Sequence, residues 1–290
     1  MNGPRAFVTM AVTTAAMGFV ACDENPSFQK LGDLELTTSA PSVERELITT
    51  DGWTIKYDRF LVHVSAVDVA GDDRVLAASA GPQIIDHVAP GTKSLLLATV
   101  RTARAWEDVS LQIGPALADT EIALGDKVSE ADRTMMQNGG LALHVEGKAS
   151  KAGVTKSFRW SFTTDTLYAG CDEDRNGVVT RGLVVPPDGK DTADVVIGGE
   201  VLFSDELAGG VTRAEAIARA DADGDGTISL EELRATSLDA ARAAGGVYGT
   251  GTRDDLTDLG SFVETLTQRL VVRYRATGSC TPEPVGAEEE

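Results

Sequence analysis

A succession of short runs in which every second residue is apolar constrains this chain more than any other feature. The runs lie at 53–57, 60–69, 94–100, 109–113, 141–145 and 158–162. Strict alternation puts one face of an extended segment into a core and the other into solvent, so these runs predict strands. Between them stand turn formers: Gly71, Asp72 and Asp73, then Ala89, Pro90 and Gly91, and a Gly147 to Gly153 stretch that would close a hairpin between the last two runs. The pattern predicts a mostly antiparallel β-sandwich or barrel-like domain over 51–205, with 195–203 as a late strand.

Helical signals take over after residue 204. Ser129 to Gln137 reads as an earlier helix; Thr212 with Glu215, and Ser229 with Glu232, have the spacing of capping boxes, each predicting a helix start. Leu256, Leu259, Val263, Leu266 and Leu270 alternate three and four apart, which predicts a third helix over about 255–274. The fold class expected is therefore α+β, the β-rich domain being followed by a helical segment at 206–280 and a disordered acidic tail at 281–290.

The ends carry a different message. Arg5 precedes an apolar run from Ala6 to Val20, too short to span a bilayer comfortably and better suited to an export signal. It closes on Phe19, Val20, Ala21 and Cys22. That ending resembles the lipobox of bacterial lipoproteins, with Phe19 where Leu is usual. The resemblance implies a signal peptide at 1–21, lipidation of Cys22, and an extracytoplasmic protein anchored to a membrane through its N-terminal lipid. An ordinary secretory peptide is the alternative, and both export the chain. Residues 22–50, polar and small with little periodicity, read as a flexible tether. If Cys22 carries lipid, Cys171 and Cys280 remain, either as one disulfide or as two buried thiols. A formal charge of −19 argues against a nucleic-acid partner.

The chemistry concentrates in 221–232. Asp221, Asp223 and Asp225 occupy alternate positions, Gly226 follows, then Thr227, Ile228 and Ser229, with Glu232 at the twelfth place. Calcium takes about seven oxygens at roughly 2.4 Å, and alternate residues of a tight loop can turn their carboxylates to one centre. The stretch 212–243 resembles the EF-hand family. The resemblance implies Ca²⁺ as cofactor, held by Asp221, Asp223, Asp225, the Thr227 carbonyl, Ser229 through water, and Glu232. It also puts Ile228 on the short strand that pairs one such loop with another. A partial second loop follows Cys171: Asp172, Asp174 and Asn176, then Gly177, Val178, Val179 and Thr180, with Leu183 where the family has Glu. It reads either as a metal loop or as an Asp- and Gly-rich turn beside a disulfide.

His63, His87 and His144 are too scattered to define a site, although His63 and His144 could meet on one sheet face. Trp53, Trp106 and Trp160 sit in or beside apolar runs and read as core rather than as a sugar-stacking surface. No nucleophile elbow, zinc-protease helix, P-loop or dinucleotide fingerprint is present, so the chain is read as a calcium-binding protein with no catalytic residues. Two other functions stay open: a glycan- or protein-recognition module stiffened by calcium, which exposed aromatics would favour, and a secreted enzyme, which would need a pocket of convergent polar groups.

Overall fold

Alternation is realised as strands along most of the chain. The computed structural model describes residues 30–71, 75–101 and 105–286; the expected leader, Cys22 and the last four residues lie outside them. In chain order the strands are β1 (Leu31–Ser39), β2 (Leu47–Ile48), β3 (Thr54–Ala70), β4 (Leu76–Ala80), β5 (Gln83–Asp86), β6 (Lys93–Arg101), β7 (Asp108–Ile113), β8 (Glu121–Ile122), β9 (Leu143–Lys151), β10 (Val154–Phe162), β11 (Thr166–Arg175), β12 (Val178–Arg181), β13 (Lys190–Ile197), β14 (Thr227–Ser229), β15 (Val271–Tyr274) and β16 (Ser279–Pro284). The helices are α1 (Glu130–Gly139), α2 (Glu215–Arg219), α3 (Leu230–Ala235), α4 (Leu238–Ala243) and α5 (Leu259–Leu266).

Two mixed sheets form a sandwich-like body. The larger runs β12-β11-β7-β3-β9-β10-β14, and the smaller β15-β13-β1-β6. One apolar cluster joins Leu34, Leu36, Val195 and Ile197 of the smaller sheet to Phe60, Val62, Val145 and Trp160 of the larger. A second, smaller cluster under α1 covers the other face of β3, where Leu61 meets Met136 and Leu141. The runs at 53–57 and 60–69 are one strand, β3. The apparent break at Asp58 and Arg59 is a register shift against β9, which passes the main-core positions from Ile55 and Tyr57 to Phe60, Val62 and Val64.

Several expectations need correction. Residues 31–39 are no tether, because β1 is a central strand with Leu34 and Leu36 fully buried. Its polar residues looked solvated, yet the hydroxyls of Thr37 and Ser39 both donate to the Asp194 carboxylate. β1 and β13 run parallel, as do β10 and β14, since a period of two says nothing about strand direction. The late strand stops at Ile197 and gives way to a 3₁₀ turn, Gly199–Phe203, where the Tyr57 hydroxyl donates to the Gly199 carbonyl at 2.7 Å.

The boundary at 205/206 also dissolves. Residues 206–280 are no separate helical unit: they supply β14 to the larger sheet and β15 to the smaller. The third helix is short. Asp258 accepts from the Ser261 N–H at 2.8 Å and starts α5 at Leu259, and after Leu266 the chain passes through a 3₁₀ turn into β15, whose β-branched Val271 and Val272 favour a strand. Within the acidic tail, 281–284 belong to β16 on β11, next to a disulfide between Cys171 and Cys280. That bond is consistent with an extracytoplasmic location. No helix among the described residues is long and apolar enough to cross a membrane.

The Thr212–Glu215 capping box does not form. Asp51, from the turn before β3, accepts the Ala214 and Glu215 N–H groups and starts α2 from a distance in sequence. Glu215 is thereby free to accept from the Trp53 indole at 3.0 Å and from Lys151 at 2.9 Å. These donors, the indole first, hold its pKa down at about 2, well below the ordinary 4.5 of a glutamate. A carboxylate depressed on folding contributes stability above its unfolded pKa and loses it as pH falls through the folded one. Glu215→Gln is accordingly expected to flatten the acid side of the stability curve between about pH 4.5 and about pH 2, read as urea midpoints against pH. An unchanged acid limb would show that these contacts carry no net charge stabilisation.

Candidate metal centre

The segment between α2 and α3 is built by its own backbone. Asp221 accepts from the N–H groups of Gly224 at 2.9 Å and Gly226 at 3.1 Å, Asp223 from Asp225 at 3.0 Å, and Asp225 from Thr227 at 2.6 Å. Each bond curls the chain around the preceding carboxylate, and Gly224 and Gly226 take the left-handed conformations this demands, with φ of 75° and 85°. The result brings oxygens of Asp221, Asp223 and Asp225 within 4.8 Å of one another. Two oxygens each about 2.4 Å from a common ion can be no farther apart than about that span.

The second half of the loop is fixed by the sheet. Thr227, Ile228 and Ser229 form β14 and pair in parallel with Ser157, Phe158 and Arg159 of β10. The Ser157 N–H donates to the Gly226 carbonyl at 2.8 Å and the Trp160 indole to the Ile228 carbonyl at 3.0 Å. Successive carbonyls of an extended segment point in opposite directions, so the Thr227 carbonyl turns away from β10. Ile228 was expected to pair with a second loop of its own kind; its partner is instead the edge of the larger sheet. Ile228 is buried there.

Ser229 then caps α3 with the predicted capping box: its hydroxyl accepts the Glu232 N–H at 3.2 Å, and the Glu232 carboxylate accepts the Ser229 N–H at 2.8 Å. The other Glu232 oxygen accepts from the Ala222 N–H at 3.2 Å, which draws the twelfth position back to the first turn of the loop. Asp223, Asp225, Thr227, Ser229 and Glu232 line one open depression. The Lys156 ammonium, paired with Asp221, holds that carboxyl below the usual range, and the Ser229 N–H does the same for Glu232. Both are ionised at neutral pH. The donor set is all oxygen and mostly anionic, which suits a hard divalent cation rather than a thiolate- or imidazole-seeking metal.

The second acidic stretch forms a hairpin rather than a wrapped loop. Asp172 to Arg175 and Val178 to Arg181 are opposite strands of a hairpin, and Asn176 and Gly177 form its tip with φ of 57° and 84°. Asp172 and Asp174 lie along one extended strand and Val178 and Thr180 along the other, instead of wrapping around a point, and the Asp174 carboxylate accepts the Gly177 N–H at the tip. Asn-Gly between alternating runs is a hairpin signal that outweighed the acidic spacing.

His63 and His144 do share a face, on β3 and β9, but their nitrogens are spoken for. His63 contacts the Gly114 carbonyl at 2.6 Å and Thr120 at 3.0 Å; His144 contacts Ser161 at 2.8 Å and Glu146 at 3.2 Å. His87 is buried elsewhere, and burial pushes its pKa down to about 3. Among the described residues no histidine joins a convergent group of metal ligands. All three tryptophans are core residues, and the large apolar side chains left exposed among the described residues are aliphatic. Sequence reasoning missed Lys156 and Asp51. Lys156 was discoverable, since it shares the inward parity of Phe158, Trp160 and Phe162 on a predicted strand.

The fold and site together define a mixed-sheet β-sandwich-like protein with an oxygen-donor loop built onto one sheet edge. No protein-family model matches the chain, and no curated protein does. Among solved structures it is similar to MbnP from Methylosinus trichosporium, at 12% identity and a TM-score of 0.32, over 65% of this chain and 88% of that one.

Proposed function

We propose that this chain binds one calcium ion in an EF-hand loop, 221–232, and that the ion acts structurally in an exported protein anchored to a bacterial membrane through Cys22. The convergence of three aspartate oxygens within 4.8 Å carries the reading. Asp221, Asp223 and Asp225 would supply carboxylates, Thr227 its carbonyl, Ser229 a water-mediated contact, and Glu232 the closing carboxylate. A bound ion relieves the mutual repulsion of these groups and ties α3 to the sheet edge through β14. The disulfide supports the export half of the reading. Lipidation rests on the resemblance at 19–22 alone.

The test is calcium titration by calorimetry, with thermal melting, of the chain lacking residues 1–22. One site with a dissociation constant of about 0.1 to 1 mM is expected. At ten times that constant the ion should stabilise the fold by about 1.4 kcal/mol, a rise of a few degrees in melting temperature. Asp221→Ala combined with Glu232→Ala should abolish both signals. A parent protein indifferent to millimolar calcium would sink the proposal, and a stoichiometry of two would reinstate the 172–180 hairpin.

A further inference from the structure

Lys156 sits one residue before the part of β10 that pairs with β14, on the inward row with Phe158, Trp160 and Phe162. Its side chain is 22% exposed, and its ammonium pairs with an Asp221 carboxylate that is fully covered. A lysine on a polar surface row would be free to swing into water; this one is delivered under the loop by the strand itself. The contact is to Asp221 Oδ2, the oxygen that also receives the Gly226 N–H, whereas Oδ1 receives the Gly224 N–H.

We infer that Lys156 is a resident counter-cation that sets the calcium affinity of the loop and holds it in the weak range. The inference rests on the calcium reading above. Two backbone donors already orient Asp221, so Lys156 adds charge more than geometry. Without calcium it offsets one of the four carboxylates of Asp221, Asp223, Asp225 and Glu232, which stabilises the empty loop. With calcium it remains beside a divalent ion of the same sign, and its repulsion opposes binding. Ligand charge count is the main lever on affinity in such loops. The consequence is a site that fills only where free calcium is near millimolar, as outside the cytoplasm.

Lys156→Met keeps the aliphatic stem and removes the charge, and Lys156→Gln removes it with a polar end; Lys156→Arg keeps it. Calcium titration of the three variants and the parent, all lacking residues 1–22, decides the matter, with tryptophan fluorescence checking that each is folded. Both neutral variants are expected to bind calcium about tenfold more tightly than the parent and to melt lower without calcium, while Lys156→Arg keeps the parent's affinity. Unchanged or weaker binding in the neutral variants would overturn the inference and make Lys156 a purely positioning residue. If neither the parent nor any variant responds to calcium, the calcium reading itself fails.

Discussion

Trp160→Ala is expected to cost about 3–5 kcal/mol of stability and, in the same protein, to weaken calcium binding. The ring is 1% exposed, stacks on Phe158 at 4.7 Å between centroids and meets Phe203 at 5.8 Å. Truncation leaves a large cavity between the sheets, and aromatic neighbours on a fixed strand cannot collapse into it. The calcium effect has a separate origin in the indole N–H held by the Ile228 carbonyl. Trp160→Phe separates the two. It keeps most of the packing and removes the indole donor from the Ile228 carbonyl, so it should lose about 0.5–1.5 kcal/mol while still reducing calcium affinity. Urea unfolding and calorimetric titration measure the pair. Calcium binding that survives both substitutions would show that β14 is held by its pairing with β10 alone.

The second large effect lies at the other edge of the same sheet. Replacing Cys171 and Cys280 together by alanine is expected to destabilise the protein by about 3–5 kcal/mol, because the bond closes a loop of 109 residues in the unfolded chain. Its affinity for calcium should stay the same. The disulfide joins β11 and β16, and four strands stand between β11 and β14 in the larger sheet, so the two sites are some 24 Å apart at about 4.8 Å per strand. Sites so separated contribute additively. The stabilisation by saturating calcium should therefore be equal with and without the bond, and a smaller increment in the reduced protein would reveal coupling across the sheet.

Much of the site was legible because its determinants are local. Asp-x-Asp-x-Asp-Gly followed by Ser229-x-x-Glu232 specifies turns and a cap whose hydrogen bonds span five residues or fewer, and the structure forms all of them. The Ser129 helix was readable for the same reason, its capping box pairing Ser129 with Asp132. Where local signals competed, the stronger chemistry prevailed: Asn176-Gly177 made a hairpin of the second acidic stretch, and two adjacent valines ended the third helix in a strand.

The sequence by itself determined the alternating strands, the acidic loop and the helix caps, since each depends on residues that are neighbours along the chain. Only the tertiary structure decided that β1 is a buried strand rather than a tether, that Asp51 starts α2, and that the loop pairs with β10 instead of a second loop. Those outcomes join residues 65 to 164 positions apart, as Lys156 to Asp221 and Asp51 to Glu215 do. A pattern of period two or 3.6 encodes which face of a segment is apolar and carries no information about which distant segment will cover it.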